Sequence, residues 1–173
     1  MQKIDFVLTW VDDSDPAWIA EKNKYDVKQT LPSVRVRDWD FLIYWFRSVE
    51  KYAPWVNKIH LVTWGHVPTF LNINHDKVNI VNHSEIFDEQ YLPIFSTTAL
   101  ELSLHKIPGI TENFVYFNDD MFINKDVTPE DFFVDGKPKD IGLMSPILPV
   151  KEGVAHIVLN DLQIINNHFN RSD

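Results

Sequence analysis

Two adjacent carboxylates, Asp119 and Asp120, come directly after Asn118 and a run of strand-forming residues, Asn113–Phe117. Such a run is typical of a buried strand, so the acids lie at its carboxyl end. Ligands of open α/β sheets bind outside the carboxyl ends of the strands. Because hard divalent cations prefer oxygen ligands, we predict that Asp119 and Asp120 hold Mg²⁺ or Mn²⁺ on a diphosphate. The pair alone is also compatible with a helix cap or a solvated turn.

A second acidic segment, Asp12–Pro16, follows the first strand-like run. In a sheet of this kind a nucleotide usually lies against this loop, and an acid there can accept hydrogen bonds from ribose hydroxyls or a base N–H. The loop contains no glycine-rich phosphate motif, so metal and side chains must hold a diphosphate instead. An ordinary turn is the alternative interpretation.

Histidine and arginine side chains near the predicted strand ends are further candidates. His83 follows a predicted strand and can act as a general base or bind a phosphate oxygen, although a hydrogen-bonded structural role fits equally well. Arg35, Arg37 and Arg47 can bind phosphate in bidentate fashion, whereas Arg47 on a helix is also typical of a solvated face. Four other histidines are predicted to be structural or solvated: His60, His66, His105 and His156.

Strand-like and helix-like patterns alternate along the chain. The predicted strands are Ile4–Trp10, Lys58–Trp64, Lys77–Val81 and Asn113–Phe117. The predicted helices are one from Ala17, then Asp38–Ala53, Thr97–His105, Pro129–Phe133 and Val154–Phe169. This alternation predicts an α/β, Rossmann-like fold with a mostly parallel sheet flanked by helices.

Composition limits the class of protein. The 173 residues are 45% hydrophobic, which predicts a single α/β core over residues 1–173. A net charge of −9 argues against nucleic acid as a partner, and the absence of cysteine excludes disulfides and thiolate zinc sites. We find no signal peptide or membrane span, so a cytoplasmic location is expected. The last predicted helix ends almost where the chain stops, and we expect a larger protein to continue beyond it.

Long segments of the chain resemble the Stealth family of sugar-phosphate transferases. Residues 4–16, IDFVLTWVDDSDP, are similar to its first conserved region. Its second region is matched by RSVEKYAPWV (47–56), HSEIF (83–87), LPIFS (92–96) and FNDDMF (117–122). These motifs are ordered and rich in rare residues, and they cover most of residues 4–125. Asp13 stands where the family pattern leads us to expect glycine.

The resemblance implies a fold like that of nucleotide-sugar transferases and an enzyme that moves a sugar 1-phosphate from a nucleotide-sugar, a UDP-sugar in our expectation, to a hydroxyl of a glycan. Bacterial members build capsular or cell-wall polysaccharide, and an animal relative is the N-acetylglucosamine-1-phosphotransferase. On this basis Asp119 and Asp120 bind Mg²⁺ or Mn²⁺ and Asp12 and Asp15 contact the nucleotide. Candidates for phosphate or acceptor contacts are Asn118, Arg47 and His83.

The resemblance also implies that two further conserved regions lie beyond Asp173, so we expect a truncated chain. A bacterial enzyme at the inner face of the membrane, attached peripherally through a biosynthetic complex, is compatible with it. Two alternatives remain: a conventional metal-dependent glycosyltransferase, and a non-catalytic nucleotide-sugar-binding fragment.

Overall fold

A computed structural model describes residues 3–25, 39–142, 146–147 and 154–169. Met1–Lys139 form one compact unit and Asp140–Asp173 a second, and each is described by itself. A single core over residues 1–173 stays a prediction. Arg35 and Arg37, and the predicted helix start at Asp38, lie outside the described residues.

Six strands and six helices occur in the described ranges. The four predicted strands and five predicted helices are among them, whereas the helix His83–Ile86 and the strands Phe133–Val134 and Lys137–Pro138 were not predicted. The strands are β1 Ile4–Thr9, β2 Ile59–Thr63, β3 Val78–Asn82, β4 Asn113–Phe117, β5 Phe133–Val134 and β6 Lys137–Pro138. The helices are α1 Pro16–Tyr25, α2 Leu42–Tyr52, α3 His83–Ile86, α4 Thr97–Ser103, α5 Pro129–Phe132 and α6 Val154–His168. Two short 3₁₀ helices also occur in the described ranges, at Glu89–Tyr91 and Leu104–Lys106.

The main sheet has four parallel strands in the order β3-β2-β1-β4, which confirms the predicted α/β, Rossmann-like architecture. Leu8 of β1 lies beside Leu61 of β2 and Phe117 of β4. The chain first adds strands on one side of β1 and later returns to place β4 on the other side. The order therefore reverses between β1 and β4, and in open α/β sheets ligands bind at the carboxyl ends of the strands at such a switch point.

Both faces of this sheet are covered by packed side chains. Alternate residues of each strand point to opposite sides, so each strand contributes to both layers. Phe6 and Leu8 pack on one face with Trp45 of α2. Val7 and Val62 belong to a separate cluster on the other face, with residues of α3 and α4. Leu42, Trp45 and Val49, at helical spacing along α2, are buried and form the face of this helix that packs on the sheet.

β5 and β6 form a small hairpin after the main sheet, joined by Asp135 and Gly136. Both turn residues have positive φ, 51° and 76°. This is the backbone that an Asp-Gly pair favours in a two-residue hairpin.

Helix α6 belongs to the second compact unit; it begins at the predicted residue and ends at His168, one residue before the predicted end. Several of its apolar residues are exposed, including Ile164 and Ile165. In the part of the chain that the structure describes, no helix is long and apolar enough to cross a membrane.

The Asp5 carboxylate joins the amino ends of the strands in a buried network. Its Oδ1 accepts hydrogen bonds from Asn57 Nδ2 at 2.7 Å and from the Lys58 N–H at 3.1 Å. Its Oδ2 accepts one from the Thr111 N–H at 2.9 Å and lies 3.0 Å from His60 Nε2. The carboxylate itself is fully buried; its contact with His60 is buried, and the other three contacts are part-buried.

The protonation of His60 follows from its two neighbours. The Asp5 carboxylate accepts a hydrogen bond from His60 Nε2, and Asn79 Nδ2 lies 2.9 Å from His60 Nδ1. An amide nitrogen can only donate, so His60 carries its proton on Nε2. Burial raises the pKa of Asp5, but hydrogen bonds from Asn57, His60 and Thr111 outweigh that effect and hold it below its ordinary value. The predicted structural role of His60 agrees with this network.

We predict that Asp5→Asn destabilises the fold by at least about 3 kcal/mol, because an amide NH₂ then faces donors that have no other acceptor. The measurement is urea unfolding at pH 7. Asp76→Asn changes the same group at an exposed position and is the matched control, with an expected change within about 0.5 kcal/mol. Equal stability of the two variants would show that the network adds nothing to the fold.

Candidate functional site

The loops after β1 and β4 meet at the switch point of the sheet. Thr9, the last residue of β1, has its Oγ1 3.1 Å from the Tyr116 hydroxyl of β4. That hydroxyl donates to Asn118 Oδ1 at 2.8 Å. The segment that carries Asn118, Asp119 and Asp120 therefore lies at the same edge as the acidic loop that follows β1, as the sequence predicts.

Asp12 lies beside a cavity of about 500 Å³ at this edge. Its Oδ1 accepts from the Ser14 N–H at 2.9 Å and from Ser14 Oγ at 2.6 Å, which fixes the loop as a tight turn. Trp10 and Leu42 provide apolar lining. A cavity of this size, with apolar lining and a few carboxylates, suits a small ligand such as a nucleoside.

The lining of this cavity also includes residues that the sequence prediction missed. Asp40 and the segment 67–70 line it, although neither stood out by type or spacing. Asp40 has a positive φ of 58°, an uncommon backbone for a residue other than glycine. Such backbone conformations cluster at ligand sites, but a single sequence does not reveal them.

Asp15 has a structural environment that differs from that of Asp12. It immediately precedes α1, and its Oδ1 accepts from the Ala17 N–H at 2.7 Å and the Trp18 N–H at 3.4 Å, as a helix cap does. Its Oδ2 lies 3.1 Å from His66 Nδ1. The hydrogen bond from Ala17, followed by that from His66, lowers the pKa of Asp15. Both carboxylate oxygens of Asp15 thus already have partners within the protein. Direct contact of Asp15 with a nucleotide stays a prediction.

His66 links the loops that follow β1 and β2. The Asp12 N–H donates to its Nε2 at 3.0 Å, so Nδ1 carries the proton that is donated to Asp15. Gly65, with φ of 127°, sets the chain direction into His66, and a Cβ there would lie only 3.0 Å from Asn82 Nδ2. His66 therefore has a structural role: its two hydrogen bonds hold the acidic loop that carries Asp12 and Asp15.

His83 lies at the start of α3, but its ring is buried rather than open to the edge. Only 3% of the residue is exposed, and neither ring nitrogen has a hydrogen-bond partner among the described residues. Burial, and to a smaller extent the nearby His66, lowers the pKa of His83 to about 4. The ring is thus neutral at pH 7. Its predicted part in catalysis stays a prediction.

The side chains of Asp119 and Asp120 are exposed at the edge of the sheet. The Met121 N–H donates to the Asn118 carbonyl oxygen at 3.1 Å, which closes the turn that carries them. Within the described ranges no group of three or more acidic or histidine side chains is placed to hold a metal ion. Two carboxylates nevertheless fit Mg²⁺, which is commonly bound by one or two carboxylates, water and the phosphates of its substrate.

Arg47 is not brought to this cavity. Its Cζ lies 5.7 Å from the ring centroid of Tyr44, and its exposed side chain lines a separate cavity of about 460 Å³ together with His75 and Lys77. The helical pattern of the sequence predicted that Arg47 lies on a helix, but it did not predict which cavity the side chain reaches.

We predict that burial of His83 makes the fold sensitive to acid. The unfolded chain binds a proton near pH 6.5 and the folded chain only near pH 4, so stability is complete above pH 6.5 and falls as the pH drops toward 4. The difference corresponds to about 3 kcal/mol. The measurement is the free energy of unfolding in urea between pH 7 and pH 4.

His83→Leu is expected to remove this part of the pH dependence while keeping the stability at pH 7. His105→Leu is the control, because it removes an exposed histidine. The prediction is wrong if the pH profile of His83→Leu matches that of the unchanged chain.

Comparisons with known proteins agree with the resemblance of the motifs. Residues 2–28 match the model of Stealth protein conserved region 1, and residues 35–140 match that of conserved region 2. The receptor polysaccharide phosphotransferase WefC of Streptococcus oralis is 47% identical, and the alignment covers 100% of this chain and 54% of that protein.

Two further relatives carry related names. The capsular polysaccharide phosphotransferase WcwK of Streptococcus pneumoniae is 46% identical over 100% of this chain and 54% of its own length. The exopolysaccharide phosphotransferase cps2G of Lactiplantibacillus plantarum is 47% identical over 97% of this chain and 50% of its own length. The chain thus spans about half the length of these curated relatives.

Proposed function

This chain belongs to the Stealth protein family, and we propose that it forms the donor-binding part of a transferase that moves a sugar 1-phosphate from a UDP-sugar to a glycan hydroxyl in capsular or cell-wall polysaccharide synthesis. Three relatives named as polysaccharide phosphotransferases support the reaction class. The observation that carries the proposal is that the Asp12 loop and the Asp119–Asp120 pair follow the adjacent strands β1 and β4 at the same edge of the sheet. The cavity beside Asp12 is lined by the loops after β1 and β2 and by the start of α2.

In this proposal the nucleoside occupies the cavity beside Asp12, which accepts hydrogen bonds from ribose hydroxyls or a base N–H. Asp119 and Asp120 hold Mg²⁺ or Mn²⁺ on the diphosphate. The edge carries several carboxylates, so a diphosphate needs a cation between it and the protein. When bound, this ion would neutralise the negative charge that develops on the departing nucleotide phosphate.

The proposed reaction breaks one phosphorus–oxygen bond and forms another. The acceptor hydroxyl attacks the phosphorus that carries the sugar, UMP leaves, and the hydroxyl proton passes to solvent or to a base. The bond between sugar and phosphate survives. In such transfers a protein mainly positions the groups and stabilises charge, a role that fits the carboxylates and Asn118 at this edge.

Two of the candidate residues have secondary parts. His83 and Arg47 do not line the cavity at Asp12. In the proposal the exposed Arg47 contacts the acceptor, whereas a catalytic part for His83 requires that its buried ring become accessible. A cytoplasmic location at the inner face of the membrane, with peripheral attachment through a biosynthetic complex, belongs to the same proposal.

We predict that this chain binds UDP-sugars only with Mg²⁺ or Mn²⁺, and that Asp119→Asn/Asp120→Asn weakens binding at least about tenfold by removing two oxygen charges. Isothermal titration calorimetry with and without the metal measures this. Glu112→Gln/Asp126→Asn is the control, since it removes two exposed charges on either side of the same segment. Undiminished affinity in the first variant would refute the metal assignment.

Product analysis distinguishes phosphotransfer from glycosyl transfer. With a UDP-sugar labelled at the phosphorus next to the sugar, we expect the label in the glycan and UMP as the released nucleotide. Label in released UDP would instead identify a conventional glycosyltransferase. Metal-dependent binding without any turnover would identify a nucleotide-sugar-binding fragment. The measurement is chromatography of the labelled products after incubation with a glycan acceptor.

A further inference from the structure

The Tyr116 hydroxyl lies at the carboxyl ends of β1 and β4, next to the segment on which the donor diphosphate is proposed to bind. Tyr116 belongs to β4, and its ring is partly buried against the cluster that contains Val7. Its oxygen lies 2.8 Å from Asn118 Oδ1 and 3.1 Å from Thr9 Oγ1. One hydroxyl therefore connects the end of β1 to the residue that immediately precedes the acid pair.

The direction of these hydrogen bonds follows from the chemistry of the groups. An amide oxygen can only accept, so in the 2.8 Å contact the Tyr116 hydroxyl donates to Asn118, and the neighbouring Glu101 carboxylate is a second acceptor for the same proton. The Tyr116 oxygen accepts from the Thr9 hydroxyl. Burial raises the pKa of Tyr116, as do the charge of Glu101, a hydrogen bond to its carboxylate and the charge of Asp119, despite the hydrogen bond from Thr9, so the hydroxyl remains protonated at neutral pH.

This contact determines which end of the Asn118 side chain is available. With Oδ1 engaged by Tyr116, the other end of the carboxamide is Nδ2, which has two N–H donors and no lone pair for a cation. The neighbouring side chains Asp119 and Asp120 can only repel a phosphate oxygen unless a cation intervenes. A neutral N–H donor in the same turn can contact that oxygen directly.

We propose that Tyr116 is a positioning residue that holds the Asn118 carboxamide with Nδ2 toward the donor diphosphate, so that Asn118 binds a phosphate oxygen and is not a metal ligand. The inference rests on the proposed function and states which residues of that site bind the cation and which binds the phosphate. Asp119 and Asp120 hold the cation, and Asn118 donates to the anion.

Two probes separate these roles, Mn²⁺ alone and UDP with Mg²⁺. We expect Tyr116→Phe to leave the Mn²⁺ affinity unchanged, as measured from the electron paramagnetic resonance signal of free Mn²⁺. The same variant should weaken UDP binding about five- to tenfold, because Asn118 loses its fixed orientation. Tyr91→Phe, which removes an exposed hydroxyl elsewhere, is the matched control and should change neither affinity.

The side-chain NH₂ signals of Asn118 provide a readout that a merely structural role would not move. In the unchanged chain we expect these ¹⁵N-correlated signals to shift when UDP and Mg²⁺ are added, and we expect a much smaller shift in Tyr116→Phe. Asn118→Asp identifies the signals by their loss and tests the role independently of any effect of Tyr116→Phe on folding. A carboxylate in place of the donor should weaken UDP binding at least about tenfold.

The opposite pattern overturns the inference. If Asn118→Asp tightens Mn²⁺ binding and retains UDP binding, or if Tyr116→Phe weakens Mn²⁺ and UDP equally, the side-chain oxygen faces the ion. UDP binding by the unchanged chain would then still support the proposed donor site. If the unchanged, folded chain binds no UDP with either metal, the donor-site proposal itself fails and the inference fails with it.

Discussion

The fold depends on the buried carboxylate of Asp5, which connects all four strands of the main sheet at their amino ends. It contacts His60 of β2 and the Thr111 N–H just before β4, and His60 continues the network to Asn79 of β3. A buried carboxylate is costly unless hydrogen bonds satisfy its oxygens, and here four contacts do so. Because the strands are parallel, fixing their relative positions at one end also fixes where their carboxyl ends emerge. The polar network at the amino edge therefore positions the loops at the opposite edge.

Three histidines in this small unit show how environment assigns different tasks to one residue type. His60 has both nitrogens satisfied inside the sheet. His66 also has two partners, but it uses them to join the loop after β2 to Asp12 and Asp15 at the candidate site. His83 is buried beside His66 without a partner among the described residues, and its pKa falls to about 4. Only hydrogen bonding and burial distinguish these cases, because all three follow or lie within strands.

The sequence was sufficient to predict the four strands of the main sheet, the longer helices and the edge at which the acids lie, because these follow from local periodicity and from the order of the elements. It did not predict the short helix α3 or the hairpin of β5 and β6. It was not sufficient for features that depend on contacts between distant segments. The bridge from His66 to Asp15 joins residues 51 positions apart, and the pairing of Thr9 with Tyr116 joins residues 107 positions apart. The helical pattern that placed Arg47 on α2 contains no information on which cavity the side chain reaches. Asp15 had the residue type of a ligand, but its position before α1 also makes it a cap.

The small number of clustered carboxylates has a consequence for the order of events in the proposed reaction. Two acids at the end of β4 complete the coordination of a hard cation only with water and phosphate oxygens, so the metal and the nucleotide bind as mutual ligands. Linkage requires that each increases the affinity for the other by the same factor. An edge that is acidic overall repels a bare diphosphate, and it repels a metal-bound diphosphate less. In the proposed site the acidic edge thereby favours the charge-neutralised donor, and the parallel sheet beneath carries both the Asp12 loop and the acid pair at one edge.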